Sequence, residues 1–311
     1  MSNGPEISLY LRTFSNDPNQ DWTATLDTAR AMDAAGVDRI VVSDHIAFGE
    51  NLAAYADPAV GGTEGGRQPT GPDGNWMEPL IFLTAVAATT TRIRLATGVL
   101  LAALRRPAVL AKQLATMDAL SGGRVDLGVG IGWQREEYEA AGLPFERRGR
   151  LLDHTLAVCQ TLWTQQRASY SSPDLSFDGI HQMPKPVQPG GIPIWVSGTV
   201  NAAVARRLSR FGSHWIPWGP AISDLKGAVA AMKRAIADVG GDPSDLKVQG
   251  TSALVKGSDG SIDVRASVAS VPQILADGAT DIRFGGSLPT DPARAAELLS
   301  ELVPAFRAAA H

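Results

Sequence analysis

Three short stretches of this chain carry side chains able to move a proton or hold an anion. The first is Ser43-Asp44-His45, which follows the apolar run Ile40-Val41-Val42. An imidazole changes charge near neutral pH, so His45 can act as a proton donor or acceptor if it ends over a cavity. The bland alternative is that Asp44 caps the following turn and His45 merely packs. The second is Glu136-Glu137, behind a run in which Val125, Leu127, Val129 and Ile131 alternate with Asp126, Gly128, Gly130 and Gly132. One face of that run is nearly bare backbone, which lets a flat ring or another backbone approach closely. A carboxylate just beyond it could serve as an acid near a bound ring. Acidic residues in a first helical turn also stabilise the helix, which accounts for at least one of the pair. The third is Ser197-Gly198-Thr199, between the strand-like Ile194-Trp195-Val196 and a helical run. Free N–H groups at a helix start, beside two hydroxyls, suit a phosphate. Simple capping by Ser197 or Thr199 explains the same residues. Trp133, Trp195, Trp215 and Trp218 all fall at or just after strand-like runs. They suggest an aromatic-walled pocket, or core fillers with satisfied N–H groups. The GxGxxG dinucleotide fingerprint is absent, because Gly128-Val129-Gly130 continues into Ile131-Gly132-Trp133.

These residues need a scaffold, and the chain repeats one unit to make it. Ile7–Leu11, Arg39–Ser43, Ile93–Leu101, Arg124–Ile131, Ile192–Val196, His214–Pro217, Leu246–Val255 and Asp281–Phe284 read as buried strands. Helical runs separate them. Trp22, Leu26, Ala29 and Met32 share a face that ends at Gly36, and Arg105–Leu120 has Pro107 near its start and Gly122 past its end. Further helices are expected over Val200–Phe211, Ile222–Val239, near Val268–Leu275, and after Asp291-Pro292. Eight strands in 311 residues with connections long enough for parallel crossovers predict an α/β fold, a (β/α)8 TIM barrel. No linker-like shift divides the chain, so a single domain over residues 1–311 is expected. Ile46–Trp76 breaks the rhythm with seven glycines and three prolines. It follows the second strand, which in a barrel opens onto the active-site face, and is expected to be a lid-like insertion.

Composition excludes several classes. With 28 Lys+Arg against 32 Asp+Glu and no basic run, the chain is a poor partner for nucleic acid or an anionic membrane. No stretch approaches the ~20 apolar residues of a membrane span, and no signal-peptide layout opens the chain. A cytoplasmic protein is expected. Cys159 is the only cysteine and the five histidines show no HExxH or HxH spacing, so neither a disulfide nor a metal site is expected.

The ordered motifs resemble the bacterial luciferase-like monooxygenase superfamily, and within it the branch of coenzyme F420-dependent oxidoreductases. They are Val41-Val42-Ser43-Asp44-His45, Thr91 to Val99, Arg106-Pro107 with Ala111-Lys112-Gln113-Leu114, Leu120 to Arg124, Leu127 to Trp133 with Glu137, Pro184 to Gln188, and Pro193 to Gly198. The resemblance runs from Ile7 to about Phe306. It implies a cofactor ring at the barrel mouth against a non-prolyl cis peptide at Gly98-Val99, with Asp44 and His45 beside the ring. His45 is then the first candidate for the proton and Glu137 the second. Gly130, Gly132 and Trp133 lie on the ring side, and Ser197, Gly198 and Thr199 near the cofactor phosphate. Asp-His followed by an apolar residue, here Ile46, favours the deazaflavin over FMN. Branch members acting on sugar phosphates carry tryptophan four residues after the histidine, and here that residue is Gly49.

The resemblance therefore implies hydride transfer between F420 and a small, hydrophobic organic substrate. One alternative is an FMN-dependent two-component monooxygenase, which would need a separate flavin reductase. Another is a non-catalytic flavin- or deazaflavin-binding protein. A homodimer is expected because relatives commonly dimerise.

Overall fold

A computed structural model describes residues 4–311. Its eight main strands are β1 (Glu6–Tyr10), β2 (Arg39–Val42), β3 (Arg94–Thr97), β4 (Val125–Val129), β5 (Ile194–Gly198), β6 (His214–Pro217), β7 (Lys247–Ala253) and β8 (Asp281–Gly285). Each pairs in parallel with its sequence neighbours and β8 pairs with β1, closing a barrel. β2 and β4 are buried at every residue, because a parallel barrel strand is covered outside by helices and inside by its opposite numbers.

The outer layer is α1 (Trp22–Ala35), α2 (Pro79–Thr89), α3 (Pro107–Ser121), a short α4 (Arg135–Ala140), α5 (Arg148–Thr164), α6 (Ala202–Phe211), α7 (Leu225–Asp238), α8 (Val264–Val268), α9 (Val271–Ala276) and α10 (Pro292–Ala309). Local chemistry sets their ends. The Asp21 carboxylate accepts the Thr23 N–H at the start of α1, and Gly36 closes that helix with φ 84°. α3 begins at Pro107 and closes on Gly122, φ 69°, the asymmetry expected from sequence.

Two elements depart from the sequence reading. The third strand stops at Thr97, breaks at a cis Gly98-Val99 peptide, and passes into a 3-10 turn at Ala102–Leu104 instead of running to Leu101. α2 had no counterpart in the sequence reading, because its apolar residues surround it and leave no polar stripe. A hairpin of Ala168–Ser171 and Ser176–Ile180 lies after α5, and a ribbon pairs Phe14–Ser15 with Asn75–Trp76.

The barrel's lower interior is a charged plug. The Arg39 guanidinium donates to Asp126 at 2.8 Å, to Glu6 at 2.7 Å and to Asp281, and lies 4.9 Å from the Trp195 ring centre. Arg94 adds a bond to Asp126 at 2.6 Å. Burial works against the Asp126 charge, but Arg39 and Arg94 outweigh it and hold its pKa below the usual carboxylate range. The His214 ring lies tilted against Trp195, ring centres 4.6 Å apart, and burial pushes its pKa down to about 4. Among the described residues, no helix is long and apolar enough to cross a membrane. None of them form a group of three or more His, Cys, Asp or Glu placed to hold a metal ion.

Candidate active site

The C-terminal ends of the strands open into a cavity of about 810 Å³. That is the size of a site for a drug-sized ligand or a cofactor ring. His45 reaches it from the turn after β2. Its Nδ1 lies 3.2 Å from Glu137 Oε2, and the other carboxylate oxygen accepts the Ile46 N–H at 2.9 Å. Glu137 is 0% exposed and does not line the cavity, whereas His45 does. The two catalytic candidates thus meet as a relay: the carboxylate stands behind the imidazole and faces Nδ1. Nε2 is left for the cavity and makes no hydrogen bond to the described residues. The His45 ring sits among Phe48, Trp76 and Trp133, with centres 4.3, 4.8 and 6.0 Å away.

Asp44 does something else. Its carboxylate is wholly buried, accepts the Leu101 N–H at 2.8 Å, and takes a two-point grip from Arg105 at 2.6 and 3.0 Å. Arg105 also reaches Glu78 at 2.7 Å. Asp44 therefore anchors the chain just beyond the cis peptide, and its carboxylate is committed to protein partners.

Gly98, Val99, Gly130, Gly132 and Trp133 all line the cavity. The glycine face is not emptied for a ring alone. A Cβ on Gly128 would strike the Thr97 carbonyl oxygen, and one on Gly130 would meet Val99 Cγ2 at 2.6 Å. The bare face thus admits the kinked end of β3, and the kink then faces the cavity. Gly49 is similarly tight: any side chain there would run into Glu136.

Ser197, Gly198 and Thr199 line the opposite wall. The cap of α6 is neither Ser197 nor Thr199 but Asn201, whose side-chain oxygen accepts the Ala203 and Val204 N–H groups at 3.0 Å each. An anion here would meet hydroxyls and a side chain unremarked in the sequence reading, Arg148. The Arg148 Nε is buried without a hydrogen-bond partner, and its terminal nitrogens donate to the Phe145 and Val60 carbonyls at 3.2 Å.

Of the four rim tryptophans, Trp133 and Trp218 line the cavity. Trp195 lies in the plug beside Arg39, and Trp215 is fully buried with its N–H donating to the Gly198 carbonyl at 2.9 Å. Trp76 joins the wall from the 46–76 segment, stacked on Phe14 at 4.5 Å. That segment crosses the mouth and is tied down by Trp218 Nε1 donating to the Gly62 carbonyl at 3.1 Å and by Tyr55 against Trp133 at 5.3 Å. Tyr10 and Arg283 also line the cavity and had no place in the sequence reading. Their one signal was position, since both end or nearly end a barrel strand. Cys159 is buried inside α5, where burial pushes its thiol pKa up, and it takes no part.

Comparison with known proteins agrees with the architecture. The family model described as luciferase-like monooxygenase matches residues 7–259. An uncharacterized protein of Mycobacterium tuberculosis is 40% identical over 148 residues, 47% of this chain and 52% of that protein, so the match spans about half the relative's length. A Mycobacterium tuberculosis protein named F420-dependent hydroxymycolic acid dehydrogenase is 31% identical over 191 residues, 60% of this chain and 52% of the relative. Among solved structures, an F420-dependent secondary alcohol dehydrogenase bound to an F420-acetone adduct superposes with a TM-score of 0.74 at 18% identity, covering 98% of this chain and 99% of its own. The oxygenating constituent of 3,6-diketocamphane monooxygenase from Pseudomonas putida, in complex with FMN, gives 0.72 at 14% identity, covering 97% and 98%. At such identities the two structures show the shared fold.

Proposed function

The chain belongs to the luciferase-like monooxygenase family, and from that premise we propose that it is a coenzyme F420-dependent oxidoreductase acting on a small, largely apolar organic substrate. The observation that carries the reading is the Glu137-backed His45 facing a cavity with the Gly98-Val99 kink on its wall. The preference for the deazaflavin is supported by relatives at 31% identity named as F420-dependent dehydrogenases.

The residues present fit such a cofactor. The Arg148 guanidinium, with the Ser197 and Thr199 hydroxyls on the same cavity, brings the positive charge and donors that suit a phosphate. The kinked chain at Gly98-Val99 and the ring of Trp133 provide flat, apolar walls. When bound, the deazaflavin would carry the two electrons as hydride at one ring carbon, accepting it when His45 takes the substrate proton and giving it when His45 returns one. His45 Nε2 gives or takes the proton at the substrate oxygen. Glu137 holds the Nδ1 proton and so keeps Nε2 oriented and available. Phe48, Trp76 and Trp133 exclude water around the imidazole. Asp44 and Arg105 fix Leu101 and, through it, the kink.

Part of the same proposal is a homodimer through α2 and α3, which pack together. Ile81 on α2 and Val109 and Leu120 on α3 are 73%, 57% and 68% exposed. An all-apolar helix calls for cover on its outer face as well.

The test is titration of the purified protein with F420 and with FMN, oxidised and reduced, followed by fluorescence and calorimetry. Micromolar F420 binding with weak FMN binding is expected. Preference for reduced FMN, with oxygen consumption, would instead place the protein among flavin monooxygenases supplied by a reductase. Cofactor binding without any turnover that His45→Gln abolishes would favour a non-catalytic carrier.

A further inference from the structure

Among the described residues, Arg39, Arg124, Arg207 and Arg283 are at least nine-tenths buried. Three of them are matched to acceptors. Arg39 faces three carboxylates, and Arg207 pairs with Asp153 at 2.5 Å. Arg124 donates to four backbone carbonyls and the Thr90 hydroxyl. Arg283 differs. It is 9% exposed, its only hydrogen bond to the described residues is to the Tyr10 hydroxyl at 3.1 Å, and its Nε is buried with no partner.

Arg283 and Tyr10 both line the cavity, from β8 and β1. The guanidinium lies 4.9 Å from the Tyr10 ring centre, and Tyr10 passes a further bond to the Gly98 carbonyl at 3.2 Å. This chain of contacts fixes the guanidinium plane beneath the cis peptide. Tyr55, from the 46–76 segment, lines the same cavity and packs against Trp133. Burial and the neighbouring Tyr10 push the Tyr55 phenol pKa up, and Arg283 opposes them, so the three side chains share one electrostatic neighbourhood. A buried guanidinium without a carboxylate is costly, and its planar fork matches two coplanar oxygens. The aromatic lining beside it (Tyr55, Trp76, Trp133) suits an apolar body attached to those oxygens.

We propose that Arg283, braced by Tyr10, is the substrate-specificity residue of this cavity and receives the carboxylate of an aromatic or alicyclic organic acid. The terminal N–H groups, of which only one is used by the Tyr10 hydroxyl, bind the two carboxylate oxygens, while the apolar body lies among the aromatic side chains. No bond is made or broken in this step. Its substrate meaning rests on the oxidoreductase function proposed above, but the binding event does not.

Benzoate is the probe, with benzyl alcohol and benzamide as neutral counterparts of similar shape. Trp76, Trp133 and Trp218 line the cavity, so tryptophan fluorescence reports binding to the cofactor-free protein, and calorimetry checks it. Wild-type protein is expected to bind benzoate at least about 10-fold more tightly than either neutral compound. Arg283→Met should weaken benzoate by about 10- to 100-fold and leave benzyl alcohol within about threefold. Arg283→Lys, which keeps the charge without the fork, should fall between and serves as the test if the methionine variant does not fold. Equal affinity for benzoate and benzyl alcohol would overturn the proposal. So would benzoate binding that is unchanged in both variants, or an Arg283 effect seen with F420 or FMN but not with benzoate. Failure of the protein to bind either cofactor would overturn the oxidoreductase function and leave the benzoate result standing.

Discussion

Replacing Glu137 by glutamine tests the relay behind His45 at constant shape. The two carboxylate oxygens serve two different neighbours: Oε1 accepts the Ile46 N–H at 2.9 Å and Oε2 faces His45 Nδ1 at 3.2 Å. The backbone N–H can only donate, so glutamine must keep its single oxygen there and turn its NH2 toward Nδ1. Nδ1 is then forced to accept, and the proton moves to Nε2. The native arrangement, with the proton on Nδ1 and a lone pair on Nε2, is reversed. A charge-assisted hydrogen bond is worth about 1.5–3 kcal/mol, so the tautomer ratio should shift by about 10- to 150-fold. Turnover that uses Nε2 as a base should fall by about 10²- to 10⁴-fold, the span of general acid–base catalysis. Cofactor affinity should stay within about threefold, less than 1 kcal/mol, because Glu137 is 0% exposed and does not line the cavity. The direct assay is nitrogen NMR of histidine-labelled protein, with His45→Gln identifying the resonance among the five histidines. An unchanged His45 tautomer in Glu137→Gln would refute the relay. A large loss of cofactor affinity would refute the placement of Glu137 behind the imidazole.

Three further outcomes are expected. His214 is neutral in the folded protein down to about pH 4, whereas in the unfolded chain it takes up a proton near pH 6.5. The unfolded state thus binds more protons in that window, and stability should fall by about 2 kcal/mol from pH 7 to pH 5; His214→Gln should flatten that slope in urea titrations, and an unchanged slope would remove His214 as its source. Arg105→Met leaves the Asp44 carboxylate buried beside one backbone N–H, so unfolding free energy should drop by about 3 kcal/mol and the Leu101 segment should exchange amide protons faster; a loss under 1 kcal/mol would show that the pair is not an anchor. Ile81→Glu should convert a dimer to a monomer by light scattering with unchanged circular dichroism, and a wild-type monomer would eliminate the α2–α3 interface.

The barrel was legible because buried parallel strands read as continuous apolar runs. His214–Pro217 matches residue for residue, and Asp281–Phe284 is extended by one. What failed was local. The kink at Gly98-Val99 opens the run Gly98 to Leu104, where no polar residue marks a break from the strand, and the chain turns there because of its neighbours. α2 escaped because its period is hidden when every face is apolar. The site was legible residue by residue but not in its pairings. Glu137 and His45 are 92 positions apart, and only tertiary packing brings them together. Asp44 and His45, adjacent in sequence, were expected together beside the ring; both line the cavity, but the Asp44 carboxylate is taken up by Arg105 and the Leu101 N–H. Adjacency in sequence does not give the two side chains the same partners: His45 faces Glu137, and Asp44 faces Arg105.

That divergence reflects how the barrel divides its charges along the axis. In the lower interior, Arg39 meets Glu6, Asp126 and Asp281, and the buried groups left without partners there, His214 Nδ1, Trp195 Nε1 and Gln249 Oε1, are neutral. Stability of that layer is electrostatically complete, as suits the end of a barrel remote from chemistry. At the mouth the pattern inverts. Arg148 and Arg283 keep buried Nε groups without partners, while the one carboxylate placed to act on an imidazole, Glu137, is withdrawn behind it. A cavity with cationic donors on two walls, whose lining carboxylates Asp44 and Glu146 are already paired with Arg105 and Arg135, favours ligands that are anionic at both ends. A phosphate-bearing cofactor at Arg148 and an organic acid at Arg283 satisfy that requirement together, with His45 between aromatic walls as the one side chain suited to proton transfer.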